Sequence, residues 1–556
     1  MKKIFKLSMV LIALLMSAGE MLAFPPGSVH LYRSGSLLSD YPTIQSAVDA
    51  SQDGDSILVD AGTFIEQVTI TTGITLRGAG RDLTIIQSPD KSSLVITGGN
   101  WKNLKNQDIY DVIGIKATNN VAVVIKDLRV DGNDQGYFPL APDINGYDFQ
   151  GIGVFNTTVT IDNVYVTGVR GLASEQLFFP PAGYPTDQPL GYNHNTGVFA
   201  ESSSGAGPHT FTLTNSYITK FQKTAILAWG PTLTVDINNN IVQGYGKTMW
   251  STGNGIQIAS AVSTGDRTGT TGSITNNQIL DIGFFPPAPG EPGEYAFNPW
   301  WGGSTCILFW EAGDGFIIDG NTISRTEYIP SWNSVTTSNN GGYSNMAIDA
   351  VSTTNLMVSN NTIFNFDEGL ISETYNVTPN IIATGNSIYN NTHDYGWGGG
   401  DDIYVLNNSY PEVVAYNASG NGLDVITNFR DGDKLYVNNY DVVGSVNGLI
   451  GGLPTIDFTG GTVTEGDGTA VAAYSMQIYY DGTQTHLYID TDGVADEAEL
   501  EILFNGEYLT SYFLLNGPFI EYAGPPIPLS NWAIFLGIFL MGGFLVVLYR
   551  RKLSVA

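Results

Sequence analysis

One short phrase returns along the middle of this chain and limits what it can become. An apolar, alternating stretch is followed by asparagine and then by a second short apolar pair. The asparagine copies are Asn239-Asn240-Ile241, Asn277-Gln278-Ile279, Asn321-Thr322-Ile323, Asn361-Thr362-Ile363 and Asn386-Ser387-Ile388. The step between copies runs from about 25 to about 44 residues while the phrase itself is kept, as in a solenoid whose loops vary in length. Ahead of the asparagines lies a second register: Gly197-Val198-Phe199, Thr224-Ala225-Ile226, Gly255-Ile256-Gln257, Thr305-Cys306-Ile307, Met346-Ala347-Ile348 and Gly369-Leu370-Ile371. These stretches alternate with period two, one face in and one out, so equivalent positions stack coil on coil. Asparagine at a turn tolerates the left-handed backbone region and hydrogen-bonds neighbouring backbone. That makes the repeated asparagines structural rather than ligand-binding.

Composition supports an all-β body and narrows its partners. The chain has 66 glycines and only 14% charged residues, with a formal net charge of -30. Such a charge repels nucleic acid and suits divalent cations. Cys306 has no second cysteine to pair with, so packing and hydrogen bonds must hold the core. It reads as a small buried apolar residue of a strand.

The two ends read as targeting segments. Lys2, Lys3 and Lys6 precede an apolar run, and Met21-Leu22-Ala23 makes a cleavage site, so residues 1–23 are expected to be a secretory signal. Residues 532–549 carry no charge and are followed by Arg550-Arg551-Lys552. That is long enough to span a bilayer, with the basic cluster on the cytoplasmic side. The tail begins Pro526-Ile527-Pro528-Leu529-Ser530-Asn531-Trp532 and resembles bacterial C-terminal sorting tails of the PEP or IPTL kind. The resemblance implies a membrane protease that cuts residues 520–556 away; a plain one-span anchor is the alternative. Either way the body is expected outside the cytoplasm, at the inner membrane or the cell surface.

The start of the body carries the most specific fold signal. Residues 41–50 read as a short amphipathic helix covering the first coil's open edge, Asp53-Gly54-Asp55 as a turn, and Ser56-Ile57-Leu58-Val59 as a strand. Gly62-Thr63-Phe64, Thr69-Ile70 and Leu76-Arg77-Gly78-Ala79-Gly80 follow. From Thr43-Ile44-Gln45 to this point the chain resembles right-handed parallel β-helix proteins of the pectate-lyase-like superfamily. The resemblance covers roughly residues 40–410. It implies an all-β right-handed parallel β-helix over 24–397, and it leaves function open among lyases, hydrolases, esterases, epimerases and non-enzymatic adhesins.

Long insertions at 132–149, 171–196, 283–304 and 326–344 interrupt the rhythm. They bring aromatic rings suited to stacking on sugar faces: Tyr184, Tyr192, Tyr295, Trp300, Trp301 and Trp332. Packing of the loops on each other is the competing reading. From residue 398 the phrase changes to acidic turns, and a smaller β domain is expected over 398–519. It resembles the terminal β-roll of calcium-binding secreted proteins of the serralysin and haemolysin kind, with at most one degenerate nonapeptide. The resemblance implies Ca2+ held by Asp401, Asp402, Asp424, Asp431, Asp433, Asp490 and Asp492, since hard cations need several converging oxygens. Ordinary acidic turns are the alternative.

Catalytic signals are sparse. Asp349 and the pair Asp367-Glu368 form the best carboxylate set for hydrolysis or proton abstraction, and His393 beside Asp394 is the imidazole candidate. No phosphate-binding loop and no zinc spacing occurs. The expectation is a secreted surface protein that binds polysaccharide or cell-envelope material without catalysis. A polysaccharide lyase or glycoside hydrolase, or an adhesin for a protein partner, are the alternatives.

Overall fold

The computed structural model describes residues 28–523 except 103–105, 107, 119–120, 137–147, 172–194, 204, 247–252, 260–269, 284–302, 328–343, 374–376, 392, 397–401, 408, 410, 418–422, 439, 442–447 and 450–455. The signal segment, the tail and its membrane span all lie outside these residues. So do the six loop aromatics expected to meet sugar. Among the described residues no helix is long and apolar enough to cross a membrane.

The chain folds as a right-handed parallel β-helix, and two compact units divide at Val242/Gln243. The first unit opens with an antiparallel hairpin, Val29–Arg33 with Ser36–Tyr41, and Val29–Arg33 also pairs antiparallel with Ser56–Val59. Three parallel ladders then run in step. One passes through Ser56–Val59, Thr75–Gly78, Val123–Asp131, Val159–Thr167, His209–Thr214 and Leu233–Asn238. A second joins Val68–Ile70, Ile109–Ile115, Asp148–Phe155, Thr196–Glu201 and Thr224–Trp229. The third starts with Gly62–Ile65 and Thr84–Gln87.

Register explains why this sequence chooses stacked coils. Ile57, Leu76, Ile125, Ile161, Leu213 and Ile237 occupy one position on successive strands and all are fully buried. Each such side chain contributes about 1.5–3 kcal/mol by leaving water. A shift of one residue would move every member of the stack to the other face.

The helix Ile44–Asp49 closes one edge, though not alone. Thr43 caps it by accepting from the Ser46 amide, and the Glu66 carboxylate takes the Ile44 and Gln45 amides at 2.9 Å each. Gln45 then acts as a piece of strand. Its amide nitrogen donates to the Thr69 carbonyl at 3.2 Å and its oxygen accepts from the Thr69 N–H at 2.7 Å. The expected cap therefore seals the second ladder, while the opening hairpin seals the first.

The second unit repeats the scheme. Its first ladder joins Thr271–Thr275, Ile317–Asp319, Leu356–Ser359, Ile381–Thr384, Ile403–Val405 and Asp424–Thr427. Its second joins Asn254–Ala259, Gly303–Trp310, Ser344–Val351, Glu368–Glu373, His393–Gly396, Val413–Asn417 and Lys434–Asn438. Both ladders have strands on either side of residue 398, where a smaller β domain was expected to begin. The change of phrase there is a change in corner residues, because the strands keep their stacks. Tyr404 and Ile426 continue the column of Ile274, Ile318, Val358 and Ala383. Beyond Asn438 the chain builds a cap. Leu500–Asn505 adds a last parallel strand beside Asp424–Thr427, and Phe519–Tyr522 covers Lys434–Asn438 in the antiparallel sense.

The asparagine phrase is a ladder of side chains. The Asn277, Asn321 and Asn361 amides each donate to the side-chain oxygen of the next asparagine in the series, ending at Asn386, at 2.9 Å. The residue before the ladder asparagine takes the left-handed backbone: Asn276, Gly320, Asn360 and Gly385 have φ of 54°, 67°, 54° and 66°. The two jobs expected of one asparagine are thus divided between neighbours.

Candidate functional site

The second ladder of the second unit carries the acids that the sequence singled out. Met346, Glu368 and His393 share one register position on successive strands. Asp349, Ile371 and Gly396 share another.

Glu368 and His393 meet. Nδ1 of His393 lies 3.1 and 3.0 Å from the two Glu368 oxygens. The residues are 2% and 5% exposed. Burial works against the imidazolium, but the Glu368 charge and hydrogen bond, with Asp394 and Asp367 nearby, leave the His393 pKa above its ordinary value. The ring also stacks on Tyr436 at 4.8 Å. Met346, Ile371 and Ala415 form an apolar cluster with Tyr436 packed on it.

Asp394, the neighbour of His393 in sequence, bonds elsewhere. Its oxygens accept from the Asn391 side chain and the Val413 amide, both at 2.9 Å. Burial pushes its carboxyl up to about 7. Asp367 also separates from Glu368. It caps the neighbouring coil by accepting the Asn345 amide at 2.8 Å.

Asp349 is 4% exposed, and one of its oxygens has no hydrogen-bond partner. Burial and the charge of Glu373 push its carboxyl well above the usual carboxylate range. Glu373 is 8% exposed. The catalytic candidates thus resolve into two pairs, Glu368 with His393 and Asp349 with Glu373, while Asp367 holds backbone.

Three of the expected calcium ligands are also backbone caps. Asp402 accepts from the Ile381 amide at 2.6 Å and the Tyr404 hydroxyl at 2.9 Å. Asp424 accepts from the Asp402 amide at 2.9 Å, and Asp433 from the Glu412 and Arg430 amides at 3.0 and 2.8 Å. Oxygens filled this way at successive corners do not converge on one point. Asp431 is exposed in a turn, and Asp401 lies outside the described residues. Asp490 and Asp492 do come together, with Asp496 and Glu499, which the sequence reading passed over.

The first unit shows what described aromatics do on the matching strands. Phe155, Phe199 and Trp229 pack in a row at 5.5 and 5.1 Å, and the indole of Trp229 donates to Glu201 at 2.7 Å. All three rings are buried.

No family model matches the chain. No curated protein matches it in sequence. Solved structures align over much of its length at low similarity. The Azotobacter vinelandii mannuronan C-5 epimerase AlgE4 A-module is 11% identical, covers 69% of this chain and 88% of its own, and gives a TM-score of 0.34. A GH136 lacto-N-biosidase from Eubacterium ramulus is 10% identical over 71% and 61% with a TM-score of 0.36. A pectin methylesterase in complex with a hexasaccharide is 13% identical over 52% and 78% with a TM-score of 0.30. Likeness at this level assigns no chemistry, and the fold rests on the chain's own ladders.

Proposed function

We propose that this chain is an extracellular β-helix that binds polysaccharide or cell-envelope material without cleaving it. One observation carries the reading: the acids best placed for catalysis are buried, with Glu368 engaged by His393 and Asp367 by backbone. A general acid or base must reach the proton it moves. Glu368 and His393 are almost fully buried, with the imidazole stacked on Tyr436. Binding would then fall to the loop aromatics Tyr184, Tyr192, Tyr295, Trp300, Trp301 and Trp332, whose rings suit sugar faces. The exterior location rests on the basic-then-apolar start and the apolar 532–549 segment with its basic finish. That segment serves as anchor or as the signal for a sorting protease.

A specific observation favours an enzyme as the second reading. Burial and the charge of Glu373 raise the Asp349 carboxyl well above the usual carboxylate range, and a carboxyl raised beside a second one is the pattern of a general acid. Incubating the full chain with acidic and neutral polysaccharides separates the two. Retention on a glycan with no new reducing ends and no unsaturated product supports the binding reading. Either product overturns it in favour of a hydrolase or a lyase. Neither product nor retention also overturns it and points to an adhesin for a protein partner.

A further inference from the structure

We propose that the loop 490–499 in the C-terminal cap is a calcium site. The strands Gln484–Ile489 and Leu500–Asn505 form an antiparallel hairpin whose last pair is Ile489 with Leu500. Two residues would suffice to join such strands. Here the connection is long and acidic, reading Asp490-Thr491-Asp492-Gly493-Val494-Ala495-Asp496-Glu497-Ala498-Glu499. One oxygen from each of Asp490, Asp492, Asp496 and Glu499 lies within 4.8 Å of the others.

A second observation points at a ligand. Asp490 is fully buried at the base of the loop. Its Oδ1 accepts from the Tyr474 amide at 2.8 Å and the Gly493 amide at 3.0 Å. Its Oδ2 is buried with no hydrogen-bond partner. A buried carboxylate oxygen without a donor is costly, and three further carboxylates gathered around it add repulsion. A cation resolves both.

Size selects the ion. Calcium binds oxygens at about 2.3–2.6 Å, so two ligands on opposite sides of it stand up to about 5 Å apart. Magnesium at about 2.0–2.1 Å draws opposite ligands to about 4.2 Å and demands a regular octahedron. Oxygens within 4.8 Å of one another on an irregular loop leave room for the larger ion and its less regular coordination. Backbone donors already steer the ligands: the Val494 amide holds Asp492 at 2.7 Å and the Thr491 amide holds Glu499 at 2.7 Å. The site is independent of the outer face of the β-helix. Its effect is to fix Leu500–Asn505, the strand that closes the parallel ladder on Asp424–Thr427.

The experiment is titration of the full chain with calcium chloride by calorimetry, paired with terbium luminescence. Tyr474 packs against Gly493, where an added Cβ would stand 2.5 Å from the ring, so its phenol is placed to sensitise a bound lanthanide. One calcium site is expected, with a dissociation constant of about 10⁻⁵–10⁻³ M. The exposed-side pair Asp496→Asn with Glu499→Gln should weaken it at least about tenfold, a loss of about two carboxylate ligands. Tyr474→Phe should dim terbium emission while leaving calcium affinity in place. Absence of calcium binding at about 10 mM overturns the proposal, an order above the weak end of the range. Binding that survives the double substitution, or magnesium competing at equal concentration, overturns it as well.

Discussion

His393 sits in register with Glu368 on the next strand of the same ladder, its Nδ1 3.0 Å from the Glu368 carboxylate in a place closed to water. Removing one partner takes away the counter-charge that faces the other in a buried place. His393→Leu is expected to cost about 3–5 kcal/mol of stability. Adding Glu368→Gln should return much of that loss, so the double variant is more stable than the sum of the single changes implies. Denaturant unfolding of the variants measures this, and strictly additive losses would refute the pairing.

The same corner sets the pH response. A histidine whose folded pKa is raised stabilises fully below its ordinary value near 6.5, and that stability is lost as pH climbs through the folded value. The buried carboxyls act in the same direction. Burial raises Asp394 to about 7, Glu412 to about 9 and Asp433 to about 6. Each is more protonated folded than unfolded, so folding weakens as pH rises from the ordinary carboxylate range to those values. The melting temperature should therefore fall between about pH 5 and about pH 9. Overall charge repulsion also grows with pH, and high salt suppresses that part. A profile that goes flat in high salt would contradict the buried groups' role.

Asp349 discriminates between binding and catalysis with little structural cost. Burial and Glu373 raise its carboxyl pKa, and Asp349→Asn keeps the shape while removing the ionisable group. Stability should change by less than about 1.5 kcal/mol, because the swap conserves volume and puts no charge in the buried position. Glycan retention should be unchanged. Loss of a polysaccharide-cleaving activity in this variant would instead mark the side chain as a catalytic acid.

The asparagine ladder should be expensive to interrupt. Asn321 accepts from the Asn277 amide and donates to the Ile274 carbonyl, both at 2.9 Å, and it is 1% exposed. Asn321→Leu leaves a buried N–H and a buried carbonyl unmet, each worth about 1–3 kcal/mol. Thermal and denaturant unfolding should show a loss of at least about 2 kcal/mol. A loss below that would mean the turn finds other partners.

The solenoid was legible because its signal is local and repeated: a two-residue alternation, an asparagine, another apolar pair. The site was not, because its partners are distant in sequence. Asp394 is next to His393, but consecutive strand residues point apart, and the sequence offers no nearer partner. The true partner is Glu368, 25 residues back. Asn361 and Asn386 are also 25 residues apart and bonded across the same step. Reading the asparagine step as a ruler would have paired Glu368 with His393 before any coordinates. The acidic turns after residue 398 are ambiguous for a related reason. A carboxylate that caps a neighbouring strand and one that waits for calcium have the same letter, and the amide that fills the oxygen belongs to another coil.

The first coil offers a direct test of how the ladder is kept from growing. The strand Val68–Ile70 pairs with Ile109–Ile115 on one side. On its other side Gln45 satisfies both polar groups of Thr69 with one side-chain amide. Gln45→Leu keeps volume and helix propensity but leaves that N–H and carbonyl open, the condition under which strand edges recruit other chains. The variant should lose about 1–2 kcal/mol and should self-associate at concentrations where the parent chain keeps constant mass. Light scattering coupled to gel filtration, run over a concentration series, reads the second effect. Unchanged mass together with unchanged melting would show that the helix, rather than the glutamine amide, protects the edge.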